Sequence, residues 1–231
     1  MYNPYPPQKM EEKVYADPDM TKQTKNLLDN MDKLSKQGKT MFGHQCSTLY
    51  GIGWMAEEDR SDVKSICGDY PAVVGWDLAE IELGKEVNID GDSFAAIREL
   101  IKQSYRRGGI TTLSWHATNP VTDGTAWDNT EAVYRIIPGG DLHMKFCGYL
   151  DKVAEFIGSL KVGEEMVPVL FRPWHEHSGG GFWWGNGTPL GLEYNGVAAN
   201  NKTSVFAYNV IAVSLEIFPP FDVIVSPSLL T

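Results

Sequence analysis

Arg172-Pro173-Trp174-His175-Glu176-His177 is the densest run of chemistry-bearing side chains in the chain, and a Gly-rich aromatic stretch, Ser178 to Gly185, follows it. Glu176, flanked by two histidines, is the strongest candidate for proton transfer. A carboxyl group walled by Trp174, Phe182, Trp183 and Trp184 would lose hydration of its charged form, which raises its pKa and keeps a proton available near neutral pH. The competing structural reading is an ion pair between Glu176 and Arg172 or a histidine. A third reading places a metal between His175, His177 and His116, because alternate residues of a strand point the same way; its spacing is generic.

Other polar residues stand at comparable places. Gly43-His44-Gln45, Trp76-Asp77 and Trp115-His116 each end an apolar run, as Arg172 to His177 does. In parallel α/β folds chemistry gathers where strands end, because loops converge there on a rigid core. For any one such residue the plainer role is to satisfy loop backbone, but four strands ending alike favour a shared site.

The elements that must position these residues alternate. Leu27, Leu28, Met31 and Leu34 make one helical stripe from Asp19 onward, closed near Gly38, and a short strand follows at Thr40 to Gln45. Glu57 to Ile66 is expected to be helical, and Ala72 to Leu78 is a strand buried on both faces. Asp92 is placed to cap a helix carrying Phe94, Ile97, Leu100, Ile101 and Tyr105, stopped by Gly108-Gly109, before a strand at Ile110 to Trp115. A long polar loop, His116 to Asp141, carries Asn119-Pro120, Asp123-Gly124 and Trp127. Leu142 to Leu160 is the fourth helix and Val167 to Phe171 the fourth strand. Helix and strand in alternation predict a parallel sheet in an α/β fold. Neither periodicity nor spacing separates an open doubly wound sheet from a barrel.

Composition narrows the partners. The chain has 231 residues, below the ~250 of a complete eight-stranded β/α barrel. A net charge of −10 disfavours nucleic acid and anionic membranes. No apolar run approaches the ~20 residues of a membrane span. Seven tryptophans suit a cleft that stacks the apolar faces of sugar rings, although core packing is the bland role of any one of them. Cys46, Cys67 and Cys147 have no metal-like spacing; Cys46 and Cys67 could bridge, leaving one thiol over. The N-terminus lacks the charged and apolar regions of a secretory signal.

Four ordered segments resemble glycoside hydrolase family 26, mostly endo-β-1,4-mannanases. They are Phe42-Gly43-His44-Gln45; Gly75-Trp76-Asp77; Leu113-Ser114-Trp115-His116-Ala117 with Asn119-Pro120; and Phe171 to Glu176 with Gly179 and Phe182-Trp183-Trp184-Gly185. The resemblance runs from about Lys22 to Gly185 and implies strands 1 to 4, with their helices, of a (β/α)8 TIM-type barrel. It implies retaining hydrolysis of β-1,4-mannosidic bonds in mannan, galactomannan or mannooligosaccharides, with no cofactor and no metal. Glu176 would be the general acid/base and His175 would orient the active-site carboxylates. His116 and Trp127 would line the subsite of the sugar to be cleaved, Trp183 and Trp184 would wall the cleft, and Trp76, Asp77 and His44 would add substrate contacts. An extracellular or periplasmic place follows from the same resemblance, since polymeric mannan lies outside cells. One departure is Gly180-Gly181, where the family commonly has an aromatic residue before Phe-Trp-Trp; a leaving-group sugar contact is in doubt there.

Three regions are expected: an N-terminal arm at 1–18, a half-barrel at 19–187, and a divergent tail at 188–231. The tail holds only Glu193, Lys202, Glu216 and Asp222 as charged residues. Gly187 to Thr203 is Gly/Asn-rich, and Val205 to Phe218 is a β-like run stopped by Pro219-Pro220. The family places its nucleophile, a glutamate, at the end of the seventh strand, and 55 residues after Glu176 cannot hold three more βα units. Neither Glu193 nor Glu216 matches it by position, so the nucleophile is expected to be absent and a frameshift or truncation near Gly187 is the expectation. Such a chain would be an impaired mannanase or a non-catalytic mannan-binding remnant, with unpaired sheet edges prone to aggregation. The sequons at Asn186 and Asn201 are read as accidental.

Overall fold

The computed structural model describes residues 17, 19–176 and 179–185, and residues 223–225 as backbone. Four strands, β1 (Gly43–Gln45), β2 (Val73–Asp77), β3 (Ile110–Ser114) and β4 (Val169–Arg172), pair in parallel and in chain order. A fifth, β5 (Val223–Val225), lies parallel to β4, so the outer edge of β4 is covered while β1 is the other edge strand among the described residues. The predicted apolar run of 205–218, the sequons and His177 lie outside the described residues.

Strand order settles what periodicity left open. A doubly wound sheet reverses direction at a switch point and carries helices on both faces; here β1 to β4 advance without reversal. The helices α3 (Phe94–Arg106) and α5 (His143–Gly158) bury Ile97, Ile101, Phe146, Val153, Phe156 and Ile157 in one cluster with Val74, Trp76, Leu113, Trp115, Val169 and Phe171. Those six strand residues share one face by register, so both helices cover the same side, as in a barrel wall. Each fully buried side chain of this kind contributes roughly 1.5–3 kcal/mol.

The other face is mixed, with Val73, Ile110 and Leu170 beside polar residues. It carries Gln45, Asp77, Thr112, Ser114 and Arg172, and Arg172 Nε donates to Thr112 Oγ1 at 2.9 Å. Gly75 lies among them without a side chain for a reason of space: an added Cβ would lie 2.0 Å from Gln45 Oε1.

Local chemistry sets the helix limits. In α1 (Lys22–Lys36) the Thr21 hydroxyl accepts from the Thr24 N–H, Lys25–Asp29 and Asp32–Lys36 pair one turn apart, and Gly38 follows with φ +65°. Its apolar stripe is only half-buried. The helix expected at 57–66 is shorter, α2 (Asp62–Cys67), because Ser61 caps it and Asp59 before it sits at φ +58°. Ser93, not Asp92, occupies the cap position of α3; Asp92 is buried, its N–H held by Asn88 Oδ1 and its carboxylate accepting from the Cys46 thiol at 3.7 Å. A one-turn helix, α4 (Val133–Ile136), breaks the long loop after β3. Cys46 and Cys67 are free thiols, one buried and one exposed, so the bridge considered between them does not form.

Candidate active site

Past the ends of β2, β3 and β4, Asp77, His116 and His175 form one hydrogen-bonded line. Asp77 Oδ2 is 2.8 Å from His116 Nδ1, and His116 Nε2 is 3.0 Å from His175 Nε2. The Asp77 carboxylate also accepts from the Ser114 hydroxyl at 2.6 Å and the Ala79 N–H at 2.8 Å. Burial opposes its charge, but His116, Ser114 and Ala79 outweigh burial and hold the Asp77 carboxyl below its ordinary range. Burial also opposes a charge on His116, yet the Asp77 carboxylate at Nδ1 raises this imidazole above its usual value. His175 moves the other way: burial, then the neighbouring His116, lower it.

Aromatic rings pack around the two imidazoles. Trp127, 50% exposed, stacks on His116 at 5.2 Å and 14°, and Phe182 closes the group at 5.2 Å from His116 and 5.3 Å from His175. Asn119 builds the loop that presents Trp127: its amide donates to the carbonyls of Asp128 and Thr130, both at 2.7 Å, and its side-chain oxygen accepts from the Val121 N–H.

Glu176 follows His175 in the turn after β4. Its side chain is exposed, and it makes no ion pair with Arg172 or a histidine among the described residues. Exposure also overturns the expectation that aromatic rings strip its hydration. Trp174 and Trp183 are buried at 1% and 0% exposure, packed against each other and against Phe146, so they support the turn from beneath. The backbone of Glu176 is left-handed, φ +54°, and its carbonyl accepts from the Gly179 N–H at 2.9 Å. Such a conformation costs a non-glycine residue about 1–3 kcal/mol and survives where surrounding contacts fix it.

Five expected substrate contacts take other places. Trp183 and Trp184 are inside, with 0% and 2% exposure; the Trp183 indole N–H donates to the Ala117 carbonyl, and that of Trp184 to the His175 carbonyl. They hold the wall instead of offering a ring face. Trp76, 0% exposed, belongs to the helix-side core. His44 pairs in register with Val74, which puts it on the helix-bearing face, away from Asp77. Asp77 itself is 5% exposed and spends its oxygens on Ser114, His116 and Ala79, so it serves His116 and not a ligand. The metal reading required His177, which lies outside the described residues; His116 and His175 are engaged with Asp77 and with each other.

Glu82 was missed. It is buried, and its oxygens accept from Trp115 Nε1 at 2.9 Å and the Thr118 N–H at 2.6 Å, pinning the chain on both sides of His116. Leu78 to Leu83 carries two glutamates, Glu80 and Glu82, and nothing along the chain marks the second as the buried one.

Strands wound in chain order, helices on one side and polar groups gathered past the strand ends define an enzyme-type β/α barrel wall. Residues 16–194 match the profile of Glycosyl hydrolase family 26, and the chain belongs to that family. A mannan endo-1,4-β-mannosidase of Bifidobacterium adolescentis is 34% identical over 184 residues, covering 78% of this chain and 18% of its own length. One from Bacillus subtilis is 31% identical over 135 residues, covering 57% and 36%. A GH26 β-mannanase structure from Bacteroides ovatus superposes with a TM-score of 0.70 at 48% identity, over 73% of this chain and 50% of that one. A modular endo-β-1,4-mannanase from Cellulomonas fimi gives 0.65 at 34% identity, over 74% and 40%. The chain therefore spans half or less of the length of these relatives.

Proposed function

We propose that this chain carries the acid/base side of a retaining β-mannanase site, acting on β-1,4 bonds of mannan, galactomannan or mannooligosaccharides. Glu176 protonates the departing glycosidic oxygen and later takes a proton from water. His175 orients the active-site carboxylates. His116 and Trp127 form the floor on which a sugar ring is held, since a half-exposed indole stacked on an imidazole offers a flat apolar face. The attacking carboxylate is assigned to no residue of this chain. Such an enzyme works where polymeric mannan is found, outside the cell or in the periplasm.

The observation that carries this is the exposed Glu176 at the end of β4, directly after a histidine bonded to His116. The test is release of mannooligosaccharides from galactomannan by the purified chain and by Glu176→Ala. Release abolished by the substitution supports an acid/base at this position; equal release by both would end the assignment. Retardation in a galactomannan gel without shortening of the polymer would identify a binding remnant in place of an enzyme.

A further inference from the structure

The line Asp77–His116–His175 constrains where hydrogens can sit. An ionised carboxylate only accepts, so His116 carries a hydrogen on Nδ1. The hydrogen bond between the two Nε2 atoms, 3.0 Å apart, holds one hydrogen; a charged His175 beside a neutral His116 would put the added charge away from the Asp77 carboxylate, and setting that form aside leaves two arrangements. In the first, both rings are neutral, His175 donates from Nε2, and His175 Nδ1 is a bare acceptor. In the second, the pair has gained one proton. His116 is then doubly protonated and donates from Nε2, and His175 carries its hydrogen on Nδ1. Charge and atoms balance if the proton enters at His175 Nδ1 while the Nε2 hydrogen passes across to His116.

We propose that Asp77 is a positioning residue: by holding the added charge on His116, it sets whether His175, the residue next to Glu176, carries its hydrogen on Nε2 or on Nδ1. His175 Nδ1 is buried and has no hydrogen-bond partner among the described residues, so no described neighbour dictates whether it carries a hydrogen. The surroundings favour charge on His116. Asp77 touches it, and Asp90 and Glu176 act on it from the loop after β2 and from the turn after β4. Around His175, Arg172 of β4 and the neighbouring His116 oppose a charge, against favourable but non-contacting Asp77 and Glu176. Among the described residues, the other rings packed on the pair, Trp127, Phe182 and Trp184, are uncharged. The opposite displacements of the two imidazoles, His116 upward and His175 downward, agree with this division.

The consequence for catalysis rests on Glu176 being the acid/base; the proton arrangement does not. The full chain, labelled with ¹⁵N-histidine, is titrated from about pH 4 to about pH 9, a range that brackets an ordinary imidazole. The ¹⁵N shifts report which nitrogen of each ring carries hydrogen. Expected is a single shared step on lowering the pH, in which His116 becomes doubly protonated as the His175 hydrogen moves from Nε2 to Nδ1. Asp77→Asn should weaken proton uptake at that step by about tenfold or more, since a neutral amide replaces the contacting carboxylate. Ser114→Ala, which keeps the carboxylate, should retain the exchange. One unchanging His175 tautomer across the range, or an Asp77→Asn midpoint equal to wild type, would overturn the proposal. If circular dichroism shows Asp77→Asn to be unfolded, the wild-type tautomer titration decides alone. Failure of the mannan assay with the exchange intact would count against the mannanase reading and leave this relay standing.

Discussion

The indole N–H of Trp184 donates to the carbonyl oxygen of His175 at 3.0 Å, from a ring that is 2% exposed and stacked on Phe182 at 4.6 Å. One buried side chain thus fixes the backbone of the residue that precedes Glu176. Trp184→Phe keeps most of the packing and removes the donor, leaving a carbonyl without its partner. The expected loss of stability is about 1–3 kcal/mol, read as a lower urea midpoint at unchanged slope. A midpoint equal to wild type would show that this bond does not hold the turn.

Glu82 should matter more for order than its distance from the reacting groups suggests. Glu82→Ala leaves two buried donors, Trp115 Nε1 and the Thr118 N–H, without an acceptor, at a cost of about 1–3 kcal/mol each. Glu82→Gln keeps one acceptor oxygen and should lose about half as much. Urea unfolding of the two variants, ranked in that order, checks the claim; a Glu82→Gln variant as stable as wild type would point to packing instead of hydrogen bonds.

These relationships mark what could and could not be read from the residues. The strands near 73, 110 and 169 and the helices α3 and α5 follow from their apolar runs and periodicity, because each buries apolar residues in the core, whereas β1 is exposed along its length and α2 has no buried residue. Barrel-type winding does not, since strand order is set by contacts between distant segments. The roles of Phe182-Trp183-Trp184 were equally hidden: three adjacent rings in a turn have no period, so nothing along the chain shows that all three are buried and that two of them bond to backbone. His44 was misplaced for a related reason. Its face depends on register with Val74, and a shift of one residue would have reversed it. His116 and His175, by contrast, end strands that pair directly, so their meeting followed from the alternation itself.

Stability should depend on pH through the same buried pair, with opposite signs at the two ends. The Asp77 carboxyl is lowered, so its contribution is present above its unfolded value, about 3.9, and is lost as the pH falls through the folded value. His116 is raised, so its contribution is present below about 6.5 and is lost as the pH rises through its folded value. His175 is lowered and works against His116, favouring the neutral form as the pH rises through this same region. The Asp77–His116 contribution is therefore greatest between about pH 4 and about pH 6.5. Urea midpoints followed from below about pH 4 to above about pH 6.5 should show a smaller pH dependence for Asp77→Asn than for wild type. Parallel profiles would mean that other carboxylates govern the acid limb.

Trp127 separates affinity from stability. Its ring is half-exposed and stacked on His116, so Trp127→Ala removes a surface that a sugar would meet but little of the core. The melting temperature should fall only slightly, since surface substitutions usually stay within about 0.5 kcal/mol. Binding of a mannooligosaccharide, followed by calorimetry, should weaken by roughly tenfold, equivalent to about 1.4 kcal/mol. Trp127→Phe, which restores a flat ring, should recover part of that loss. Affinity unchanged in Trp127→Ala would remove the sugar platform from this loop, whereas a large fall in melting temperature would show that the ring is instead part of the structural cluster around His116.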